Sequence, residues 1–587
     1  MRVTITKSPG VFNSYGILMA VGSIQTVGDD FGKSLVFSLQ ATDTDGVLSV
    51  APNPPYEAGA SQLPGIYTVA TLPAAANYQA GTQAYTTDSQ MMVSTNRGWL
   101  AAAPAVISIA QQRAKRIAAF NLGAAIAAPA WVASATVVAG QCVTVPTGQV
   151  ISYTTGGVVS GTAPAYSKTQ LSGRSIADGA ATAYGAYQQN AVLSPSPAPT
   201  MTLFASAAAA GLTETLLHSG ASADARVTCF GGINSAAGFQ NANAPFSFAN
   251  GVLTVATGNA TASGTQAGYS AAYVYNSFET ALEFFITDSV VAITFVGSTS
   301  YQSIDIDDQL MNAAPQLLNG TSGQCLVFDF AGVTKRRKVC INGNTPTGSN
   351  ALRGVGLSTT GTIEPTDTLN DQMLLLGDSI LGTISAPALL QPISYVGTLL
   401  KKYLGLAGTI NCSVGGTGYI SPGSSGAYNC QGILSNPVNQ QIFPLMNPGH
   451  VLIAQGYNDI GQPLAAEKAA ALGVWQQARA LFPAAKISIT DGFNGATGPS
   501  ANALSQAAAL LQAFTAWGDP NSRFIQSIGA SAATAWQSGT SSNAGAVAAG
   551  NSCWTVGTDT IHPTPMGCDY LARRLAGQIS LSWNGAY

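Results

Sequence analysis

From Thr368 onward, short apolar runs alternate with stretches of helical spacing. The runs are Gln372–Leu376, Gly408–Ser413, His450–Gln455, Lys486–Asp491 and Arg523–Ile528. Between and after them the periodicity predicts helices near Ala386–Leu404, Ala465–Phe482, Ala501–Trp517 and Pro565–Leu581. Repeated βα units imply a parallel sheet with helices on both faces, whose ligand chemistry sits at the carboxyl ends of the strands. The expected domain is α/β/α with a parallel sheet, over 368–587.

Upstream the rhythm is different. Residues 200–365 carry strand-like runs at Gly251–Ala256, Val291–Val296, Ser303–Asp307, Leu326–Phe330 and Lys338–Ile341, separated by Gly, Asn and Ser turns. That pattern predicts a central β-sandwich of jelly-roll type. Ser194–Pro199 (SPSPAP) reads as a semi-rigid linker before it. Residues 1–50 hold strand-like runs Arg2–Thr6 and Ser34–Gln40, and 51–100 read as loop and short β. Ala103–Phe120 has helical spacing of Val106, Ile109, Ala110 and Ile117, which fits a packed helix or the connector of a trimeric stalk. The expected N-terminal organisation is an attachment segment (1–50), a β-module with helical connector (51–120) and a second small β-module (121–193).

Composition narrows the class. Only 8% of residues are charged although 46% are hydrophobic and 64 are glycine; ordinary soluble domains are about 25% charged. Hydroxyls and amides therefore solvate this surface, as in extracellular and virion structural proteins. A net charge of −3 leaves no basic field for a nucleic-acid backbone. The one basic run, Lys335-Arg336-Arg337-Lys338, reads as a solvated strand end or turn, or as a contact to an acidic glycan. MRVTITKSPG has no apolar core or cleavage site, so it is not a signal peptide. Ile117–Gly140 is uncharged but mostly Ala, too weakly apolar for membrane insertion. The eight cysteines include pairs (325/340, 412/430, 553/568) spaced so that local bridges are possible, with reduced, buried thiols as the default. None has the spacing of a metal site, and no cofactor is implied.

Four blocks carry candidate chemistry. LLLGDSI closes an apolar strand with Gly377, Asp378 and Ser379. NCSVGGTGY (Asn411 to Tyr419) brings glycines that let the backbone approach a substrate. GYND (Gly456 to Asp459) ends another strand with an amide able to donate. DTIHP (Asp559 to Pro563) sets a carboxylate three residues before one of three histidines, ahead of the last helix. His218 and His450 lack such a setting, and His450 is expected to be structural.

In this order the four blocks resemble the SGNH (GDSL-type) hydrolase family over roughly 370–585. The family's usual Leu after Gly-Asp-Ser is Ile380 here, and the Gly-x-Ser-x-Gly elbow of ordinary lipases is absent. The resemblance implies Ser379 as nucleophile, His562 as base and Asp559 as its orienter, with an oxyanion hole from the N–H groups of Ser379 and Gly416 and the amide of Asn458. Gly416 is preferred to Gly415 because the family's donor glycine usually lies five residues after the Asn matched by Asn411. A β-domain directly before such a domain resembles two-domain carbohydrate esterases. Gly65–Gln90 and the module that opens at Trp131 and closes with SIADGAATAYGAY resemble β-modules of bacteriophage tail fibres and spikes. Together these imply a virion tail-fibre or tailspike esterase deacetylating an O-acetylated host surface polysaccharide. It would be a homotrimer joined to other tail proteins through its N-terminus, with no nucleic-acid partner and no membrane insertion. The rivals are a secreted bacterial carbohydrate esterase and a non-enzymatic receptor-binding fibre.

Overall fold

The computed structural model describes strand segments alone before residue 112, and most of the chain from 112 onward. Its longest undescribed stretches there are 118–129, 165–174, 186–198, 217–226, 235–245, 264–278, 383–394 and 540–551. The expected strand Ser34–Gln40, most of the Ala103–Phe120 helix, most of the SPSPAP linker, His218 and the first part of the Ala386–Leu404 helix lie outside the described residues. The chain divides into Met1–Gln112 and Arg113–Tyr587. The first unit holds a three-stranded and a four-stranded sheet. No described helix is long and apolar enough to cross a membrane.

In the second unit, residues 131–185 form a small β-module around Val137, Val143, Ile151, Tyr153 and Val159. The two features that marked it in the sequence meet: Trp131 Nε1 donates to Asp178 Oδ2 at 2.9 Å. Tyr153 Oη (2.7 Å) and the Ser160 N–H (3.0 Å) also donate to this buried carboxylate. Burial raises the Asp178 pKa, but these donors outweigh it and hold the group below its ordinary value. Gly179 follows at φ +64, where an added Cβ would lie 2.4 Å from the Val158 carbonyl oxygen, so the turn requires glycine.

Residues 200–364 form a fifteen-stranded, mostly antiparallel sheet. Strand Phe246–Ala256 joins its two wings. Its first half pairs with Glu279–Asp288, and its second with Asn259–Ser263. Phe284, Ile304 and Val339 from one wing share a core with Ile293, Phe328 and Val355 from the other. The predicted strands all appear, several extended by a few residues.

The basic run opens strand Lys335–Asn344, and only its first half is the solvated strand end expected. Lys335 and Arg336 are exposed and pair with Asp307 and Glu364. Arg337 is only 2% exposed; its guanidinium lies 3.8 Å from the Phe330 ring centroid and donates to the Asp288 carbonyl at 2.7 Å. Lys338 pairs with Asp308 (2.9 Å) and with fully buried Glu283 (3.5 Å). Each member of the run is thus matched within the fold. Arg337 and Lys338 thereby meet the buried Asp288 and Glu283, whose desolvation is tolerable only when paired.

The last region is a five-stranded parallel sheet of β1 (Gln372–Gly377), β2 (Gly408–Asn411), β3 (His450–Ala454), β4 (Lys486–Thr490) and β5 (Ser522–Ile525), in order β2-β1-β3-β4-β5. Alternate residues serve opposite faces. Leu374, Leu376, Val451 and Ile453 pack under the helices Leu464–Leu481 and Ala501–Trp517. Met373, Leu375 and Leu452 pack under Val396–Leu404 and Pro565–Trp583. Cys325, Cys340, Cys412 and Cys430 are free, buried thiols, and Cys568 is buried as well.

Ion pairs at two places tie this region to what precedes it. Lys401 donates to Glu283 at 2.7 Å and Lys402 to Asp305 at 3.1 Å, across to the β-sheet region. Arg113 Nε reaches both oxygens of buried Asp371 at 3.0 Å, with Arg116 at 3.3 Å. Arg113 also lies 2.8 Å from His450 Nε2. Burial and then the charges of Arg113 and Lys486 push the His450 pKa down to about 3, so it stays neutral and structural. Removing one partner of a buried pair typically costs about 3–5 kcal/mol. Arg113→Ala should therefore lower the denaturation midpoint of the second unit clearly; an unchanged midpoint would mean that Arg116 alone suffices. A fragment meant to preserve this region should begin at or before Arg113.

Candidate active site

The order β2-β1-β3 makes the chain leave β1 and β3 toward opposite faces, which opens a crevice beyond their carboxyl ends. All four sequence blocks belong to loops around this edge.

At the end of β1, Asp378 is buried and its Oδ1 accepts the Ile380 N–H at 2.9 Å. Its carbonyl accepts the Gly382 N–H at 3.1 Å. Those bonds close the turn Ser379–Gly382 and set Ser379, partly exposed, at its head. Burial pushes the Asp378 carboxyl up to about 7, opposed by the Ile380 N–H and by His562. A Cβ on Gly377 would come within 2.9 Å of Ser413 Oγ and 2.7 Å of Leu381, so the strand end admits only glycine without a shift.

Past β2, Asn411 Nδ2 donates to the Leu381 carbonyl at 3.0 Å and its Oδ1 accepts the Ser413 N–H at 3.1 Å. One buried amide thus links the second block to the turn bearing Ser379. Gly416 follows at φ +77, a left-handed conformation natural to glycine. Asn458, after β3, donates from Nδ2 to the Thr417 carbonyl at 2.8 Å. A primary amide carries two N–H groups, so this bond orients Asn458 and leaves its second hydrogen outside that contact.

The fourth block is a compact loop. Asp559 Oδ1 accepts the N–H groups of Ile561 (3.1 Å) and His562 (3.0 Å), while Oδ2 lies 2.7 Å from His562 Nδ1. Thr560 takes φ +68 to make the turn. Burial raises the Asp559 pKa, yet the His562 side chain and the two N–H groups outweigh it and hold the carboxyl below its ordinary value. His562 Nε2 is buried and has no hydrogen-bond partner among the described residues. Ser379 and His562 are therefore not hydrogen-bonded to each other, a separation common before substrate binds. Their loops are near enough for His562 to act electrostatically on Asp378, and for both Asp378 and Asp559 to raise the Tyr457 pKa beyond what burial does.

Sequence reasoning missed two supports of this site. Asp459, wholly buried, accepts the N–H groups of Tyr419 (2.5 Å), Ile420 (3.3 Å) and Ser421 (2.9 Å). Gln506, from helix Ala501–Trp517, donates to the Gly456 carbonyl at 2.7 Å and to buried Glu467. Gly456 sits at φ +128. The available signal was a Gln and a Glu on the inward faces of otherwise Ala-rich helices. Among the described residues, no group of three or more His, Cys, Asp or Glu is arranged to hold a metal ion.

Glu467 predicts a pH effect. Burial pushes its pKa from 4.5 up to about 7. The folded state then holds a proton that the unfolded chain releases above its own pKa. Stability from this group is fully present below about pH 4.5 and is lost as pH rises through about 7. The loss is on the order of 3 kcal/mol. Glu467→Gln keeps an acceptor for Gln506 and cannot ionise, so its denaturation midpoint should fall less than wild type between pH 5 and 8. Parallel profiles would contradict the assignment.

No protein-family model and no curated protein matches the chain. Solved structures are similar to part of it. A family two carbohydrate esterase from Clostridium thermocellum, in complex with cellohexaose, is 14% identical, covering 53% of this chain and 94% of its own, with TM-score 0.40. A carbohydrate esterase family 2 enzyme with its carbohydrate binding domain, from Corynascus thermopiles (Myceliophthora fergusii), is 20% identical over 52% and 96%, with TM-score 0.38. The salicylyl-acyltransferase SsfX3 of a tetracycline biosynthetic pathway is 14% identical over 58% and 95%, with TM-score 0.40. Likenesses this distant do not carry a function across.

Proposed function

We propose that the region from Thr368 onward is a serine esterase of the SGNH type, acting on acetyl esters of a polysaccharide. The observation that carries this reading is the Asp559–His562 pair, with Nε2 buried and unpartnered, in a loop from which His562 acts electrostatically on Asp378, the residue before Ser379. His562 Nε2 takes the Ser379 proton as the hydroxyl attacks the ester carbonyl. Asp559, ionised at neutral pH, accepts from Nδ1–H and stabilises the imidazolium. The Ser379 and Gly416 N–H groups and the Asn458 amide meet the oxyanion. The His562 imidazolium then protonates the departing sugar oxygen, which leaves as the hydroxyl, and water, activated by the same imidazole, attacks the acyl-enzyme and releases acetate.

A polysaccharide substrate is favoured by the adjoining β-sheet region, which Lys401 and Lys402 hold against the catalytic one, and by the order of the two regions along the chain. A tail-fibre setting is supported by the resemblance of the Gly65–Gln90 and Trp131–Tyr187 modules to phage fibre modules. In that setting residues 1–193 would attach and trimerise the chain. The test has two parts: acetate release from O-acetylated bacterial polysaccharide and from a chromogenic acetate ester, and light scattering on the full chain. Release from both supports the reading. Release from the chromogenic ester alone removes the polysaccharide, no release removes the esterase, and a monomer at micromolar concentration removes the fibre.

A further inference from the structure

Two of the oxyanion donors assigned above stand on different loops, after β2 and after β3, and nothing in the sheet alone fixes one against the other. The structure shows what does. The Asp459 carboxylate lies under the other loop and accepts three successive N–H groups: Tyr419 at 2.5 Å, Ile420 at 3.3 Å and Ser421 at 2.9 Å. Two further bonds join the same two loops, one in each direction: Ser421 Oγ donates to the Asn458 carbonyl at 2.8 Å and Asn458 Nδ2 to the Thr417 carbonyl at 2.8 Å. Gly418 completes the fit: a Cβ there would lie 2.3 Å from both carboxylate oxygens. The Gly418 N–H in turn closes the loop onto the Ser421 carbonyl at 2.9 Å. A wholly buried carboxylate is costly unless its lone pairs are filled, and here backbone donors of a single loop fill them.

We propose that Asp459 is a positioning residue: it staples the Gly416-bearing loop to the Asn458 turn and so sets the spacing of the two donors. Gly418 is the second half of the device, because only glycine lets the carboxylate reach the backbone. The proposal rests on the esterase reading for its kinetic consequence, but not for its structural one.

The structural arm is hydrogen exchange on the wild-type full chain. The Tyr419 and Ser421 amides should exchange as slowly as those of β1 and β3. Exchange at loop rates would overturn the staple whether or not the protein is an esterase. The kinetic arm uses Asp459→Asn, which turns an acceptor into a donor facing an N–H, and Gly418→Ala, which displaces the carboxylate without altering it. Both should lower kcat on a small acetate ester by about 10²-fold with KM changed no more than about threefold. Combined with Asn458→Ala, Asp459→Asn should cost much less than it does alone, because both act on the same donor. Unchanged kcat in either single variant, or losses that simply multiply, would overturn the positioning role. A wild-type chain with no esterase activity would instead remove the esterase reading and leave the exchange result to decide the staple.

Discussion

Ser379→Ala will abolish ester hydrolysis and leave the fold intact. Among the described residues at the end of β1, Ser379 carries the only hydroxyl, and losing a nucleophile of this kind removes about 10⁴–10⁶ in kcat. The fold should survive because the turn is anchored by its neighbours. Ile380, Leu381 and Gly382 are its buried residues, and Asp378 closes it through the Ile380 N–H. A melting curve that matches wild type beside a rate at background is the expected pair of results. Substantial turnover in the variant would mean that another group attacks the ester.

His562→Ala should be nearly as severe, lowering kcat by about 10³–10⁵ with KM little changed. The loop should hold without the imidazole, because the Asp559 carboxylate still accepts the backbone N–H groups of residues 561 and 562. The Gly557 N–H still bonds the residue 562 carbonyl at 2.7 Å. Asp559→Asn should leave more activity than His562→Ala, since Asp559 orients the base and transfers no proton. Steady-state kinetics on the two variants check the order. If Asp559→Asn is the worse of the two, its main task is to hold the loop in place of orienting the ring.

The C-terminal α/β region was legible in the sequence because its strands are continuous apolar runs and its helices are long. Helix Ala501–Trp517 appears with the expected ends, and Leu464–Leu481 is displaced by one residue. Strand ends were less legible where a side chain intercepts the backbone. The run Arg523–Ile528 stops pairing at Ile525, because the Ser527 and Ile528 N–H groups turn to the buried Asp491 carboxylate at 2.6 and 2.9 Å. The four chemical blocks could be read because each is local. Asp559 and His562 are three residues apart and meet in one turn. Asp459 could not be read, because its partners lie 38 to 40 residues earlier and are backbone groups that any residue type supplies. The same holds for Lys401, whose partner Glu283 is 118 residues away, and for Arg337, whose burial reverses what a basic run suggests.

The central claim is that Ser379 is an activated nucleophile. A fluorophosphonate that labels only activated serines, followed by peptide mass mapping of the full chain, tests it most directly. The account predicts one adduct per chain on the peptide containing Ser379, absent in Ser379→Ala and formed far more slowly in His562→Ala. Labelling at another serine, or ester hydrolysis that persists while Ser379 stays unlabelled, would contradict it.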